Sequence, residues 1–181
     1  TAIEVLNGRW TMHVFGMRQD IAAAKLANRL PNTSTLGLWL VLFPLWLKYK
    51  ISGSYFAYPI LPVLGKESIA ELVSARTTYL DHMIKRVIKS TEQFVVMGAG
   101  YDTRAYDPAL FKQTFFELDH HTTQDMKKSW LAKAGVDSDH VNFVALDFSQ
   151  DDLFEKLSES GFDQNKPSVF LWEGVTLYLS E

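Results

Sequence analysis

The sequence predicts an α/β fold built on a parallel sheet, and three observations support that prediction. An apolar run at residues 94–97 leads into Gly98-Ala99-Gly100, which is typical of a buried parallel strand followed by a tight ligand-binding turn. Three further strand-like segments follow at residues 114–119, 141–148 and 167–173. Helix-forming segments at residues 123–133 and 151–160 separate them. This alternation indicates right-handed crossovers, and therefore a Rossmann-like sheet with flanking helices.

Composition narrows the classes of protein to which the chain can belong. Its 181 residues are 47% hydrophobic, which is enough to fill a core. Lys and Arg number 18 and Asp and Glu number 21, so the net charge of −3 argues against a nucleic-acid partner. The absence of cysteine excludes disulfides and thiolate metal sites, and is consistent with a reducing compartment such as the cytoplasm or an organellar matrix.

The N-terminal third differs in character from the rest of the chain. We expect residues 1–65 to form a helical, Trp-rich attachment segment and residues 66–181 to form the ligand-binding α/β domain. Residues 20–30 are strong helix formers, whereas Pro59 and Pro62 predict a connecting loop over residues 52–65. A helix is predicted over residues 66–89, with Arg76 inside its apolar stripe.

The run from Leu36 to Leu47 is almost entirely apolar, contains two tryptophans and is followed by Lys48 and Lys50. Twelve residues of helix reach roughly 18 Å, well short of the ~30 Å hydrocarbon core of a bilayer. We also expect Pro44 to interrupt the helix. Three interpretations stay open: a buried helix or lid, a peripheral membrane-contact segment, and a docking surface for another subunit.

Functional side chains are predicted where the strands end. Ligands of open parallel sheets bind at the carboxyl ends of the strands. That rule selects the turn from Gly98 to Gly100, and then Asp119, Asp147 and Glu173 after the later strands. The recurrence of an acid at three strand ends argues for a shared binding edge rather than for three unrelated helix caps.

The glycine turn favours a nucleoside without phosphate. Asp102 lies where a dinucleotide site would place pyrophosphate, and a negative side chain there is unfavourable. Asp119, 21 residues after Gly98, has the spacing of an acid that binds ribose hydroxyls. Adenosine without phosphate, joined to an amino acid group, describes S-adenosylmethionine.

Four ordered motifs, GAGYDTRAY, FELDH, ALDF and WEGVTLYLS, carry a family resemblance over residues 74–181. They resemble the leucine carboxyl methyltransferase family of S-adenosylmethionine-dependent enzymes, including its bacterial O-methyltransferase branch. The resemblance assigns the methionine carboxylate to Arg76 and the methionine backbone to Gly98 and Gly100. The residues at the later strand ends are assigned to the rest of the cofactor. Asp119 would bind ribose, Asp147 and Phe148 would bind adenine, and Glu173 would lie near the amino group.

The resemblance implies methyl transfer to a carboxylate or hydroxyl of a small molecule or peptide terminus. A carboxylate acceptor is already ionised, so positioning can supply most of the rate and no strong general base is needed, and the sequence assigns no catalytic residue. Tyr178 is a weak candidate to face the acceptor, because a core aromatic residue there needs no function. His120 and His121 lack a third ligand, so no metal site is predicted.

A second hypothesis is a methyltransferase-like accessory subunit of a membrane complex, which binds the cofactor or nothing and does not catalyse. It rests on two features of the chain. Family members continue beyond a fourth strand, so we expect the fold to be incomplete at its C-terminus, with further residues or a partner covering the open sheet. The segment from Leu36 to Leu47 would then provide the contact with the membrane or another subunit.

Overall fold

A computed structural model describes residues 2–31, 34–53, 69–110 and 112–175. The chain divides into two compact units, Thr1–Ile84 and Lys85–Glu181. The predicted boundary at residues 65 and 66 and most of the predicted loop over residues 52–65 lie outside the described residues.

The first unit is helical among its described residues. Its helices are α1 (Ala2–Val14), α2 (Ile21–Ala27), α3 (Thr35–Ser52) and α4, which runs from Ile69 to Val87 and so crosses into the second unit. Helix α1 packs against α2 through large buried side chains such as Leu6 and Trp10. Asp20 caps the start of α2, because its carboxylate accepts a hydrogen bond from the Ala23 amide at 2.9 Å. The predicted helix in this region is confirmed, although it ends three residues earlier than expected.

Helix α3 corrects two expectations. It continues through Pro44, which lies well inside the helix, so the prediction that Pro44 interrupts it was wrong. Gly53 ends the helix in the left-handed conformation, at φ +67°. No described side chain of α3 is fully buried, which contradicts the interpretation as a buried helix. One face nevertheless packs on Phe15 through partly buried side chains, namely Leu42, Leu45, Trp46 and Tyr49.

Arg76 lies in the predicted stripe of α4 but is not buried there. Its side chain is exposed, whereas the neighbouring Ser74 and Thr77 are buried. Val73, Thr77 and Ile84 of the predicted stripe are buried, so the stripe agrees with the hydrophobic spacing, and Arg76 is an exposed member of it.

The second unit contains the predicted parallel sheet. Its strands are β1 (Gln93–Met97), β2 (Thr114–Asp119), β3 (Val141–Ala145) and β4 (Ser168–Trp172), and they lie in the order β3-β2-β1-β4. All three strand pairs are parallel. Helices α5 (His121–Ala134) and α6 (Leu153–Glu159) form the crossovers between β2 and β3 and between β3 and β4. The α/β fold class is confirmed.

Packing on both faces of the sheet fixes the positions of the strand ends. All five residues of β1 are buried, as the central position of the strand requires. One face of the sheet packs a cluster that α6 completes: Val95, Met97, Phe116, Leu118, Val144, Leu146, Leu157 and Phe162. On the other face Phe94 stacks on Phe115, with ring centroids 5.1 Å apart. With the register fixed by both faces, Met97 pairs with Leu118 and Trp172, so the following turns emerge at one edge.

Candidate functional site at the carboxyl edge of the sheet

The strand order creates a crevice beside β1. The chain steps from β1 to β2 to β3 in one direction and then returns to place β4 on the opposite side of β1. The strand order therefore reverses between β1 and β4, and the crevice at such a reversal is where open parallel sheets bind ligands. Gly98 and Glu173 are the first residues after these two strands.

The turn after β1 needs both of its glycines. Gly98 and Gly100 have φ values of +62° and +44°, in the left-handed region that side chains disfavour. A Cβ added to Gly98 would lie 2.2 Å from Val175 Cγ2, so the segment after β4 also depends on this glycine. The turn is tied to the sheet through the Ala99 amide, which donates to the Leu118 carbonyl at 2.9 Å.

Asp119, the last residue of β2, faces this turn. One carboxylate oxygen accepts from the Gly100 amide at 2.6 Å and the other accepts from the His120 amide at 2.8 Å. A carboxylate has about four lone-pair directions, so both oxygens can accept further hydrogen bonds. Two of the sequence-predicted site residues, Gly100 and Asp119, are thus in direct contact.

Arg104 joins the two sides of the crevice. One guanidinium nitrogen lies 2.5 Å from an Asp102 carboxylate oxygen and 2.8 Å from a Glu173 carboxylate oxygen. Asp102 also accepts from the Arg104 amide at 2.7 Å. Burial by itself would lower the pKa of Arg104, but the two carboxylates outweigh burial and raise it above its ordinary value. Asp102 and Arg104 therefore brace the turn after β1.

A second buried ion pair lies beneath the first and was missed by the sequence analysis. Lys127 of α5 donates to the Glu117 carboxylate at 2.6 Å and to the Asp102 carbonyl at 2.8 Å. Burial raises the pKa of Glu117 although Lys127 opposes the shift. Gln124, one turn earlier, donates to the carbonyls of Glu117 and Val144 at 2.8 and 2.7 Å. Gln124, Lys127 and Leu131 have the i, i+3, i+7 spacing of one helix face, but two of the three side chains are polar, so hydrophobic spacing gave no signal that this face is buried.

Asp147 and Phe148 follow β3 at the same edge. The Asp147 carboxylate is occupied locally, since it accepts from the Ser149 amide at 2.9 Å, the Ser149 hydroxyl at 2.6 Å and the Gln150 side chain at 3.0 Å. The Ser149 bonds lower the pKa of Asp147. The Phe148 ring lies nearly parallel to that of Trp172, with centroids 6.5 Å apart. Of the two predicted adenine-binding residues, Phe148 thus lies beside the exposed Trp172 at the end of β4.

The remaining predicted residues lie elsewhere. Arg76 belongs to the first unit, and Tyr178 lies outside the described residues. Glu117, two residues before Asp119, pairs with Lys127. Within the described part of the chain, no group of three His, Asp or Glu side chains has the arrangement of a metal site. The ligand roles of the predicted residues stay predictions.

The comparison with protein families agrees with the geometry of this edge. The family model of leucine carboxyl methyltransferase matches residues 62–181. The chain belongs to this family. The resemblance over residues 74–181 is confirmed, and it extends twelve residues further towards the N-terminus than the sequence motifs indicated.

Several bacterial relatives carry the printed name "Putative S-adenosyl-L-methionine-dependent methyltransferase". One from Mycolicibacterium paratuberculosis is 37% identical over 118 residues, which cover 62% of this chain and 38% of the relative. One from Mycobacterium tuberculosis is 35% identical over 116 residues, with the same two shares. One from Bacillus subtilis is 31% identical over 125 residues, or 67% of this chain and 41% of the relative. The chain thus spans about two fifths of the relatives it matches, and S-adenosylmethionine is the cofactor expected for this leucine carboxyl methyltransferase family member.

Replacing Gly98 with Ala tests the close approach between the two turns. Gly135→Ala is the matched control, because Gly135 has the same φ of +62° but no atom within 4 Å of an added Cβ. In both variants the left-handed conformation of alanine lowers the free energy of unfolding by about 1–2 kcal/mol. Gly98→Ala additionally displaces Val175, which costs a further 1–3 kcal/mol or so. Denaturant unfolding measures both, and equal losses in the two variants would contradict the contact.

Replacing Lys127 with Met tests the second ion pair. The change leaves the Glu117 carboxylate buried without its countercharge, and we expect it to cost about 3–5 kcal/mol near pH 8. Glu117 then keeps its proton in the folded state at pH values where the unfolded chain has lost it. The free energy of unfolding of Lys127→Met therefore falls as pH rises above the unfolded pKa of about 4.3.

The double variant Lys127→Met/Glu117→Gln is the control for that experiment. It has no carboxyl group at position 117, so its stability lacks the added pH dependence and recovers part of the loss. Urea unfolding of both variants between acidic and mildly basic pH provides the comparison. A Lys127→Met variant whose stability follows the wild-type pH profile would mean that the pair is not buried as described.

Proposed function

We propose that this chain forms the cofactor-binding part of an S-adenosylmethionine-dependent O-methyltransferase, with a carboxylate or hydroxyl acceptor. The observation that carries the proposal is the Asp119 carboxylate, held at the end of β2 by the Gly100 amide and open to further hydrogen bonds. Membership of the leucine carboxyl methyltransferase family supports it.

The charge of the edge suits a cationic ligand. Asp102, Asp119, Asp147 and Glu173 lie at or just after the strand ends, and Arg104 is the buried cation that pairs with two of them. The surplus of negative charge attracts a sulfonium or an ammonium group and repels a pyrophosphate. Both S-adenosylmethionine and a dinucleotide would present adenosine to the same turn, so the charge on the rest of the ligand decides between them. The negative charge of the edge favours S-adenosylmethionine.

The chemistry of the side chains fits that cofactor. Asp119 would accept hydrogen bonds from both ribose hydroxyls, and the Phe148 ring would lie against adenine. Glu173, oriented by Arg104, would lie near the ammonium group. When bound, S-adenosylmethionine supplies a methyl group on a positively charged sulfur, which a nucleophile can displace. The protein's part is to hold the acceptor oxygen in line, and a carboxylate acceptor needs no proton removed.

Calorimetry with S-adenosylmethionine tests the cofactor assignment, with Asp119→Asn as the variant. The amide cannot accept hydrogen bonds at both of its ends, so it loses one of the contacts to Gly100 or His120 as well as the ribose contacts. Loss of charge-assisted bonds predicts affinity weaker by about 10- to 100-fold. Asp125→Asn, on the exposed face of α5, makes the same charge change and should bind like wild type. Undiminished affinity of Asp119→Asn would remove this residue from the site.

Transfer of a labelled methyl group tests the acceptor. The full-length protein is incubated with methyl-labelled cofactor and panels of carboxylic acids, alcohols, phenols and peptides. A methyl ester is hydrolysed by mild alkali and releases volatile methanol, whereas a methyl ether or methylamine is not. We expect alkali-labile product, or ether from a hydroxyl acceptor. Methylamine products from the peptides would contradict O-methylation.

A further inference from the structure

We infer that one face of α3 binds the surface of a bilayer containing anionic lipid. This inference is independent of the cofactor site. Its first support is a continuous exposed stripe of large apolar side chains at i, i+4, i+7, i+11 and i+15, namely Leu36, Leu40, Phe43, Leu47 and Ile51. These residues are 68, 67, 43, 43 and 79% exposed, which is unusual for five neighbouring aliphatic and aromatic side chains.

The other face of the same helix is already occupied. Leu42, Leu45, Trp46 and Tyr49 pack against Phe15, and the Phe15 and Tyr49 rings lie 5.8 Å apart. The helix is therefore apolar on both sides, with one side attached to the protein and the other exposed. A helix held in this way presents its apolar stripe from a fixed support, as an interfacial helix must.

The polar residues at the margins of the stripe indicate which surface covers it. Residues 35–52 contain no Asp or Glu, and their charged residues are Lys48 and Lys50. At 100° per residue, Lys48 and Lys50 lie on opposite sides of the stripe near its C-terminal end. Their flexible stems allow both ammonium groups to reach a layer of phosphates while the stripe enters the acyl region.

Aromatic residues occupy the boundary between the two faces. Trp39 contacts Phe43 and Trp46 edge-on, with ring centroids 5.8 and 5.4 Å apart, and Lys50 lies 5.8 Å from the Trp46 ring centroid. Tryptophan beside lysine is characteristic of the headgroup layer, where a ring can bury its carbon atoms and keep its N–H hydrated. No helix of the described residues is long and apolar enough to cross a membrane, so the inference concerns binding at the surface.

Vesicle flotation of the full-length protein tests the inference. We expect the protein to float with phosphatidylcholine vesicles that contain phosphatidylglycerol, and less with phosphatidylcholine alone. Leu40→Glu/Leu47→Glu should reduce partitioning by about tenfold or more, because it places carboxylates in the stripe. Lys48→Gln/Lys50→Gln should reduce it about fivefold per charge on anionic vesicles, with little change on neutral ones.

The matched control is Met126→Glu/Phe154→Glu, which adds the same charge at half-exposed apolar positions of α5 and α6. It should float like wild type. Wild-type protein that stays unbound to anionic vesicles while its circular dichroism is native would overturn the inference. So would equal flotation of the Leu40→Glu/Leu47→Glu variant. A dimer in vesicle-free solution that this variant dissociates would instead assign the stripe to a second copy of the chain.

Discussion

The ion pairs of Arg104 hold together the edge of the sheet on which the candidate site is built. The parallel ladder between β1 and β4 ends at Met97 and Trp172. Beyond it, Arg104 binds Glu173, directly after β4, while it also binds Asp102 in its own turn. A buried guanidinium stabilises such an arrangement only when its carboxylates are close, because their attraction must offset the loss of hydration. Movement of either turn therefore exposes an unpaired charge, and both turns are held.

The second ion pair, between Lys127 and Glu117, also supports the turn that carries Asp102. Lys127 and Glu117 neutralise each other in the interior, and the lysine also binds the carbonyl of Asp102. The deep layer thus contributes hydrogen bonds to the turn without adding net charge. Arg104 pairs with two carboxylates, one in the turn after β1 and one directly after β4. The two ion pairs therefore act on the same turn, one through the Asp102 side chain and the other through the Asp102 carbonyl.

A site residue can be predicted from the sequence when its own neighbours in the chain indicate its position. Strand ends are local, since an apolar run that stops at an acid predicts Asp119 and its edge without knowledge of the partner strands. Lys127 could not be predicted as a buried residue, because an exposed helical lysine and one that meets Glu117 after a crossover look alike until the register is known. The prediction for Pro44 was wrong because it used a local signal alone. Proline locally disfavours a helix, but Leu45 and Trp46 in the next turn pack against the protein, and α3 continues beyond Pro44.

The two strand-end acids Asp119 and Asp147 show that position alone does not determine a role. Asp147 accepts three hydrogen bonds from its own turn, two on one carboxylate oxygen and one on the other. Asp119 accepts one backbone hydrogen bond on each oxygen, from Gly100 in the turn after β1 and from His120, the next residue in the chain, so the plane of its carboxylate is fixed before a ligand arrives. Orientation by rigid backbone donors costs no side-chain entropy at the moment of binding. Two hydroxyl groups that bind Asp119 would each find a carboxylate oxygen with room for a charge-assisted hydrogen bond. At Asp147 the same hydroxyl groups would compete with donors from the turn that already bind its oxygens.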